Sequence, residues 1–477
     1  MSSEALWTAE AFVTATGGEV RGALPDSASG ISIDSRSIEP GEVFFAIKGD
    51  RLDGHDFVGK ALAAGAGLAV VDRAHADRFA EDRSPLVVVD DTLDAMRKLA
   101  RAARARSKAR IIGVTGSVGK TGTKEALKLT LSPSGETYAS AQSFNNHWGV
   151  PLSLSRFPER AAFGVFEMGM NHAGEITPLT QMVRPHIAII TTVEPVHLEF
   201  FESVDGIADA KAEIFHGLEP DGVAVLNRDN EHYERLAGHA EQHGARIVSF
   251  GKHADADARL IDVSAQEGLS CVVADILGER ITYKIGAPGA HFVQNSLAVL
   301  AAVHLAGGDL ARAGLAYQDI AAPSGRGAQV DLTLPGGSAL LIDESYNANP
   351  ASVRAALSVL GQTPTGLHGR RIVVLGDMLE LGPTADARHA ALAEPATEAR
   401  ADLVHCVGPL MGALWHALPE DARGRHVTKS DDLVEALVTD VRPGDVIMVK
   451  GSLGTRMAPL VSALKTAYPP SGPSDAA

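Results

Sequence analysis

The segment Thr115-Gly-Ser-Val-Gly-Lys-Thr-Gly122 has residue types and spacing suited to gripping phosphate groups. Gly116, Ser117, Val118 and Gly119 form a loop whose backbone N–H groups can turn inward at phosphate oxygens. The helix start that follows adds the positive end of its dipole. Lys120 can reach the β- and γ-phosphates, Thr121 offers a hydroxyl to Mg²⁺, and Gly122 closes the run. Val114 stands where the longer G-x-x-x-x-G-K-[ST] pattern has its first glycine, so the loop is a compact T-G-S-x-G-K-T form.

Other candidates follow from the rule that ligands gather at the carboxyl ends of parallel strands. Glu167, in Glu-Met-Gly-Met-Asn-His172, and His197, in Val193-Glu-Pro-Val-His-Leu-Glu199, follow two further apolar runs. Both can therefore face a γ-phosphate and a metal ion beside the loop. Asp343 begins Asp-Glu-Ser-Tyr-Asn-Ala-Asn-Pro350 at another strand end, and Arg326, between Gly325 and Gly327, can swing onto a phosphate or acyl phosphate as domains close. Lys211 lies among alanines at helical spacing and reads, from residue type alone, as a solvated lysine on a helix face.

The elements that must position these side chains are legible as hydrophobic runs. A chain of 477 residues implies roughly three domains of about 150 residues each. Residues 1–108 hold the short runs 43–47, 68–71 and 86–89 and an Ala-rich helical stretch, which indicates a small α/β unit. Residues 109–322 alternate the runs 111–114, 164–167, 187–193, 223–226 and 247–250 with helical stretches, as a largely parallel sheet requires. Within that span, 258–285 reads as an antiparallel appendage and 292–305 as a helix. Residues 323–466 repeat the alternation with runs at 340–343, 372–375, 403–407 and 446–449, predicting a second doubly wound, Rossmann-like unit. The tail 467–477 is too poor in apolar residues to fold and is expected to be disordered. The fold class is thus α/β, with a central P-loop domain between two flanking α/β domains.

Composition narrows the partners. With 43 Lys and Arg against 59 Asp and Glu, the formal net charge is −16, and no basic stripe interrupts it. Nucleic acid and anionic membrane are not expected partners. Cys271 and Cys406 are the only cysteines, which argues against a disulfide framework or a Cys-based zinc site and fits a reducing cytoplasm. The N-terminal residues lack a basic, then apolar, leader pattern, and no run of 18 apolar residues follows, so neither secretion nor membrane insertion is expected.

Taken in order, the motifs resemble those of the Mur ligase family, ATP-dependent peptide-bond formers of bacterial cell-wall synthesis. The series begins with Asp34-Ser-Arg36, Pro40 to Gly49 and Asp53-Gly-His-Asp-Phe57, and continues through the phosphate loop, Asn145-Asn-His-Trp-Gly-Val-Pro151 and Glu167 to Ile176. It runs on through His197-Leu-Glu199, Lys211-Ala-Glu-Ile-Phe215, His291-Phe-Val-Gln-Asn295, Gly325-Arg326, Asp343 to Pro350, Gly376 to Gly382 and Lys450-Gly-Ser452. Family members commonly continue Lys-Gly-Ser with Arg; here Leu453 follows, and an arginine comes only at Arg456.

The resemblance implies an ATP site completed by Asn295, Arg326 and Asp343. It implies two Mg²⁺ ions held by Thr121, Glu167, His197 and a carboxylated Lys211, which reverses the plain reading of that lysine. It implies an N-terminal domain that binds the UDP end of the substrate through Ser35 and Arg36, with Asn145, Asn146, Tyr346 and Asn347 near substrate. The branch it points to joins D-Ala-D-Ala to a UDP-N-acetylmuramoyl-tripeptide through an acyl phosphate, as a cytoplasmic enzyme for which a monomer is expected. A sister ligase adding one amino acid and a P-loop switch without ligase activity are the alternatives. The Asp-Asn-Pro-Arg segment that marks meso-diaminopimelate addition is absent from the sequence.

Overall fold

A computed structural model of the chain describes residues 5–49, 52–79, 84–141, 143–196, 198–266, 269–287 and 289–470. Three large sheets follow one another along the chain. The first has five strands, in the order Glu19–Arg21, Leu86–Val89, Leu68–Asp72, Val43–Phe45 and Ile31–Ser32, parallel except for the first pair. Apart from half-buried Asp72, its inner strands are buried apolar runs, as expected when helices or other layers cover both faces of a sheet.

The central sheet has nine strands. From one edge they are Thr137–Ala139, Phe163–Glu167, Arg110–Thr115, Ile187–Ile190, Val223–Asn227 and Arg246–Gly251, all parallel. Ala258–Gln266, Leu269–Ile276 and Glu279–Ile285 then form antiparallel hairpins. The appendage expected at 258–285 is therefore antiparallel, but it continues the main sheet, because Phe250 and Gly251 pair in parallel with Ala258 and Arg259. The helix Ala290–Leu305 carries an almost unbroken apolar sequence, and its residues 296–303 are all buried, which places it in the core against this sheet.

The third sheet orders Ala328–Leu334, Gly337–Glu344, Val446–Lys450, Arg371–Gly376, Leu403–Val407 and Arg423–Val427, with only the first pair antiparallel. Helix Ala458–Ala467 packs on it; Tyr468 then donates to Val438 O at 2.8 Å, and Pro470 bridges Leu332. Residues 467–470 of the expected tail are thus part of the packed structure, and 471–477 lie outside the described residues.

The helix Thr92–Arg106 precedes the phosphate-loop strand and joins the first two sheets. Arg104, 5% exposed, donates to Val183 O and Arg184 O at 2.8 Å and to Glu219 at 3.0 Å, so its charge is paired and its stem is used as packing. Among the described residues no helix is long and apolar enough to cross a membrane.

Candidate active site

Three parallel strands of the central sheet end side by side: Phe163–Glu167, Arg110–Thr115 and Ile187–Ile190. The phosphate loop leaves the middle one. Gly119, with φ of 89°, is the N-cap of the helix Lys120–Leu131, a conformation that strains any residue with a side chain. A Cβ there would also lie 2.6 Å from Asn295 Nδ2, so the loop and the core helix meet without room for a methyl group.

The loop is locked to its neighbour. Ser117 N donates to Thr192 O at 2.9 Å; the Ser117 hydroxyl donates to Glu194 O at 3.1 Å and accepts from Glu194 N at 2.9 Å. Thr191 donates its hydroxyl to Val118 O at 2.6 Å. These bonds hold residues 191–194 in loop conformation, which is why the strand predicted for 187–193 stops at Ile190.

Glu167 is 1% exposed and makes no ion pair among the described residues; its two oxygens accept from the Thr121 hydroxyl at 2.9 Å and Asn145 Nδ2 at 2.7 Å. A buried carboxylate with only neutral donors is costly unless a cation completes its shell. Hard oxygens from Thr121 and Glu167, both lining the cavity, are a donor set that suits Mg²⁺. Lys120 Nζ, which lines the same cavity, donates to Gly116 O at 2.6 Å; burial lowers its pKa, opposed by nearby Glu167 and reinforced by Arg326.

Arg326 reaches this group from the third sheet's side. Its guanidinium donates to Ser143 Oγ at 3.1 Å and stacks over the Tyr346 ring at 4.1 Å. The turn that aims it is tied down at both sides: Tyr346 N donates to Gly325 O at 3.0 Å, and Gly327 N donates to Asp343 O at 2.8 Å. Gly325, at φ 73°, sits where a Cβ would come within 2.9 Å of Tyr346 Cβ. Asp343 itself accepts from the Ser345 hydroxyl at 2.6 Å and stands outside the cavity lining.

The cavity has a volume of about 570 Å³ and is lined from the two larger sheets. Of the residues singled out in the sequence, Ser117, Val118, Gly119, Lys120, Thr121, Gly122, Asn145, Glu167, Asn295, Arg326, Tyr346 and Asn347 line it. Gly116 lies beneath, through its carbonyl contact with Lys120. Asn146 is outside the lining, and its side-chain oxygen accepts from Gly149 N, at the start of the helix Gly149–Ser155, at 2.9 Å. Ser35 and Arg36 are outside the lining; Arg36 forks onto Asp34 at 2.6 to 3.2 Å and pulls that carboxyl down to about 2. His197 lies outside the described residues.

Lys211, on the helix Val204–Ala212, is 2% exposed, and its side chain makes no hydrogen bond or ion pair among the described residues. It is not the solvated lysine that its residue type suggests: burial, and then the charge of Lys120, push its pKa well below the ordinary lysine value.

Several cavity residues were given no role from sequence. Ser143 stands between Thr121 and Arg326, following a three-residue strand too short to read. Lys450 donates to Glu344 at 2.9 Å and to Asn347 O at 3.0 Å, and the two charged residues occupy paired positions at neighbouring strand ends. The strand-end rule, applied to Val446–Lys450, would have found it. Gln294 bridges Asn227 and Asp229 at 3.0 and 2.8 Å.

Away from the cavity, Asp53, His55 and His75 place metal-ligating atoms within 4.8 Å of one another. His55, however, has Nδ1 on Asp53 at 2.6 Å and accepts Asp72 N at Nε2 at 3.1 Å. Both nitrogens are engaged, so the cluster acts as a hydrogen-bonded brace.

Comparison with known proteins places this architecture. Residues 114–303 match the Mur ligase middle domain, 333–453 the Mur ligase glutamate ligase domain, and 27–104 the Mur ligase family catalytic domain. A relative from Escherichia coli, UDP-N-acetylmuramoyl-tripeptide--D-alanyl-D-alanine ligase, is 35% identical over 94% of this chain and 96% of its own. The chain belongs to the Mur ligase family. A second relative of this name, from Rickettsia prowazekii, is 30% identical over 96% of this chain and 99% of its own. Among solved structures, MurF from Acinetobacter baumannii superposes with a TM-score of 0.82 at 29% identity, covering 98% of this chain and 100% of that one. MurF ligase from Thermotoga maritima, solved in complex with ADP, gives 0.75 at 26% identity over 92% of this chain and 97% of its own. These matches carry the three-domain Mur ligase architecture across almost the whole chain, with the cavity where its two larger sheets meet.

Proposed function

We propose that this Mur ligase joins D-Ala-D-Ala to a UDP-N-acetylmuramoyl-tripeptide at the expense of ATP, acting in the cytoplasm as a monomer on small-molecule substrates and not on nucleic acid. The observation that carries the reading is the meeting, in one cavity, of a phosphate loop with the Thr121–Glu167–Asn145 cluster and, from the third sheet, Arg326 and Lys450. The relatives' names supply the substrate pair. Domain limits near residues 108 and 322 fit the positions of the three sheets.

In this reading the tripeptide's terminal carboxylate oxygen attacks the γ-phosphorus of ATP, the bond to the bridging oxygen breaks, and ADP leaves. The amine of D-Ala-D-Ala then attacks the acyl carbon and loses a proton; the tetrahedral intermediate collapses by expelling phosphate. Lys120 and Arg326, which line the cavity, are assigned to balance charge on the transferring phosphoryl group, and Asn295, also in the lining, to contact the base. Ser35 and Arg36 are assigned to the UDP end, and Asn145, Asn146, Tyr346 and Asn347 to the acceptor and amine. Asp343 supports the ATP site by holding the Arg326 turn through its carbonyl.

Thr121 and Glu167, with His197 and Lys211, would hold two Mg²⁺ ions, which when bound neutralise charge that develops in transfer. For Lys211 this requires carboxylation: its neutral amine forms an N–C bond to CO₂ and releases a proton, which converts a buried, unpartnered amine into an anionic oxygen ligand. The absence of any partner for Nζ among the described residues supports that assignment.

Two measurements bear on the reading. Phosphate release should require the UDP-muramoyl tripeptide and D-Ala-D-Ala together; release indifferent to the amine would favour a nucleotide switch, and release with a single amino acid a sister ligase. Gly119→Ala should weaken ADP binding about tenfold or more, since a positive φ and the Asn295 contact together cost on the order of 1–3 kcal/mol. A calorimetric titration showing unchanged affinity would contradict the described loop.

A further inference from the structure

Among the described residues the Lys211 side chain has no partner to hold it, so its place depends on how its helix end is anchored. The anchor is two residues on. Glu213 begins the 3-10 turn Glu213–Gly217, and its carboxylate crosses to the segment that leaves the Glu167 strand. One oxygen accepts from Gly174 N at 2.5 Å; the other accepts from Thr177 N at 3.0 Å and from the Thr177 hydroxyl at 3.1 Å. That hydroxyl also meets His216 Nδ1 at 2.8 Å.

The helix Ile176–Val183 lacks a cap of its own: the N-cap residue, Glu175, makes no side-chain capping bond. Its Glu175 carboxylate is instead bonded to Asn171 N at 2.8 Å and His172 Nδ1 at 3.0 Å. Glu213 therefore supplies the cap from 36 residues away, with a negative charge at the positive end of the helix. A second tie runs beneath it, where the buried Thr180 hydroxyl donates to Ile214 O at 2.7 Å. The two segments joined in this way carry Lys211 on one side and Met170 and Asn171, which wall the cavity just after Glu167, on the other.

We propose that Glu213 is a positioning residue, whose borrowed cap fixes the Lys211 helix relative to the Glu167 strand end and so sets the spacing of the metal-holding groups. The inference rests on the ligase reading given above, in which Lys211 and Glu167 serve one site.

The test compares Glu213→Ala and Glu213→Gln in the full chain, by Mn²⁺ titration in the presence of ADP, by steady-state kinetics and by thermal unfolding. Groups that orient metal ligands typically change affinity or activity about ten- to hundredfold when removed. Glu213→Ala should therefore weaken Mn²⁺ binding and lower kcat by about that factor, with KM for the UDP substrate unchanged. Glu213→Gln keeps one acceptor oxygen, which can still take the Thr177 N–H, but turns its NH₂ toward the Gly174 N–H, so it should recover part of both. If Glu213→Ala lowers only the melting temperature, and Mn²⁺ binding and kcat stay at the unmodified protein's values, the positioning role is wrong. If the glutamine variant is as impaired in Mn²⁺ binding as the alanine variant, it is equally wrong. The Mn²⁺ titration needs no turnover, so an unmodified protein that binds Mn²⁺ and ADP but makes no peptide bond would refute the ligase reading while still deciding the role of Glu213.

Discussion

Lys120→Ala should lower the rate of substrate-dependent phosphate release by about two to three decades, the loss typical of one removed transition-state donor, about 2.7–4 kcal/mol. The size follows from its setting. The ammonium group is part-buried at the start of the phosphate-loop helix and is held to Gly116 O at 2.6 Å, so it is aimed before any nucleotide arrives. Glu167 lies close enough to favour its charged form against burial, while Arg326 opposes it, which leaves a cation poised between two groups that also face the cavity. Water cannot substitute for that arrangement, because a replacement dipole would have to be ordered at the moment of transfer. Steady-state kinetics with both substrates saturating would check it. A variant retaining a tenth of the activity would show that Lys120 does not act on the transferring group.

Lys211→Ala should be nearly inactive, and added formate or acetate should restore part of the activity. An alanine removes the amine that CO₂ modifies and leaves a cavity at a site that is 2% exposed. A short carboxylate can enter that space and offer the oxygen that the carbamate would have offered. Rescue should rise with carboxylate concentration and saturate, and should be absent with chloride at equal ionic strength. No rescue, together with an unmodified lysine in a high-resolution map of the unaltered protein, would remove the carbamate. The charge of Lys120 lowers the basicity of Lys211, but burial is the larger cause for each lysine, so the two substitutions remove different functions.

How far the molecule could be read in advance differed by element. Strands buried on both faces, such as Ile187–Ile190 and Val446–Lys450, are unbroken apolar runs and were visible as such. Arg423–Val427 was not, because an edge strand with the sequence Arg-Gly-Arg-His-Val buries almost nothing and shows no period. The phosphate loop and Glu167 were legible because a turn motif and a strand-end rule each have a local physical cause. Lys211 was not legible from chemistry: helical spacing among alanines gives no sign that the helix end turns inward, and only the family resemblance pointed to it. Ser143 and Glu213 act through partners 22 to 183 residues distant, and no local pattern encodes such contacts, whereas Lys450 ends a buried strand and falls under the strand-end rule. Arg326 falls between these cases, since the flanking glycines announced a turn but not the Tyr346 ring on which the guanidinium rests.

The central claim is that the cavity activates a carboxylate as an acyl phosphate and then makes an amide. The carboxylate oxygen that attacks phosphorus must leave with the phosphate when the amine displaces it. UDP-N-acetylmuramoyl-tripeptide labelled with ¹⁸O in its terminal carboxylate, incubated with ATP and D-Ala-D-Ala, should therefore release inorganic phosphate carrying one ¹⁸O atom for each peptide bond formed, read by mass spectrometry of both products. Unlabelled phosphate, or phosphate released with no pentapeptide product, would contradict it.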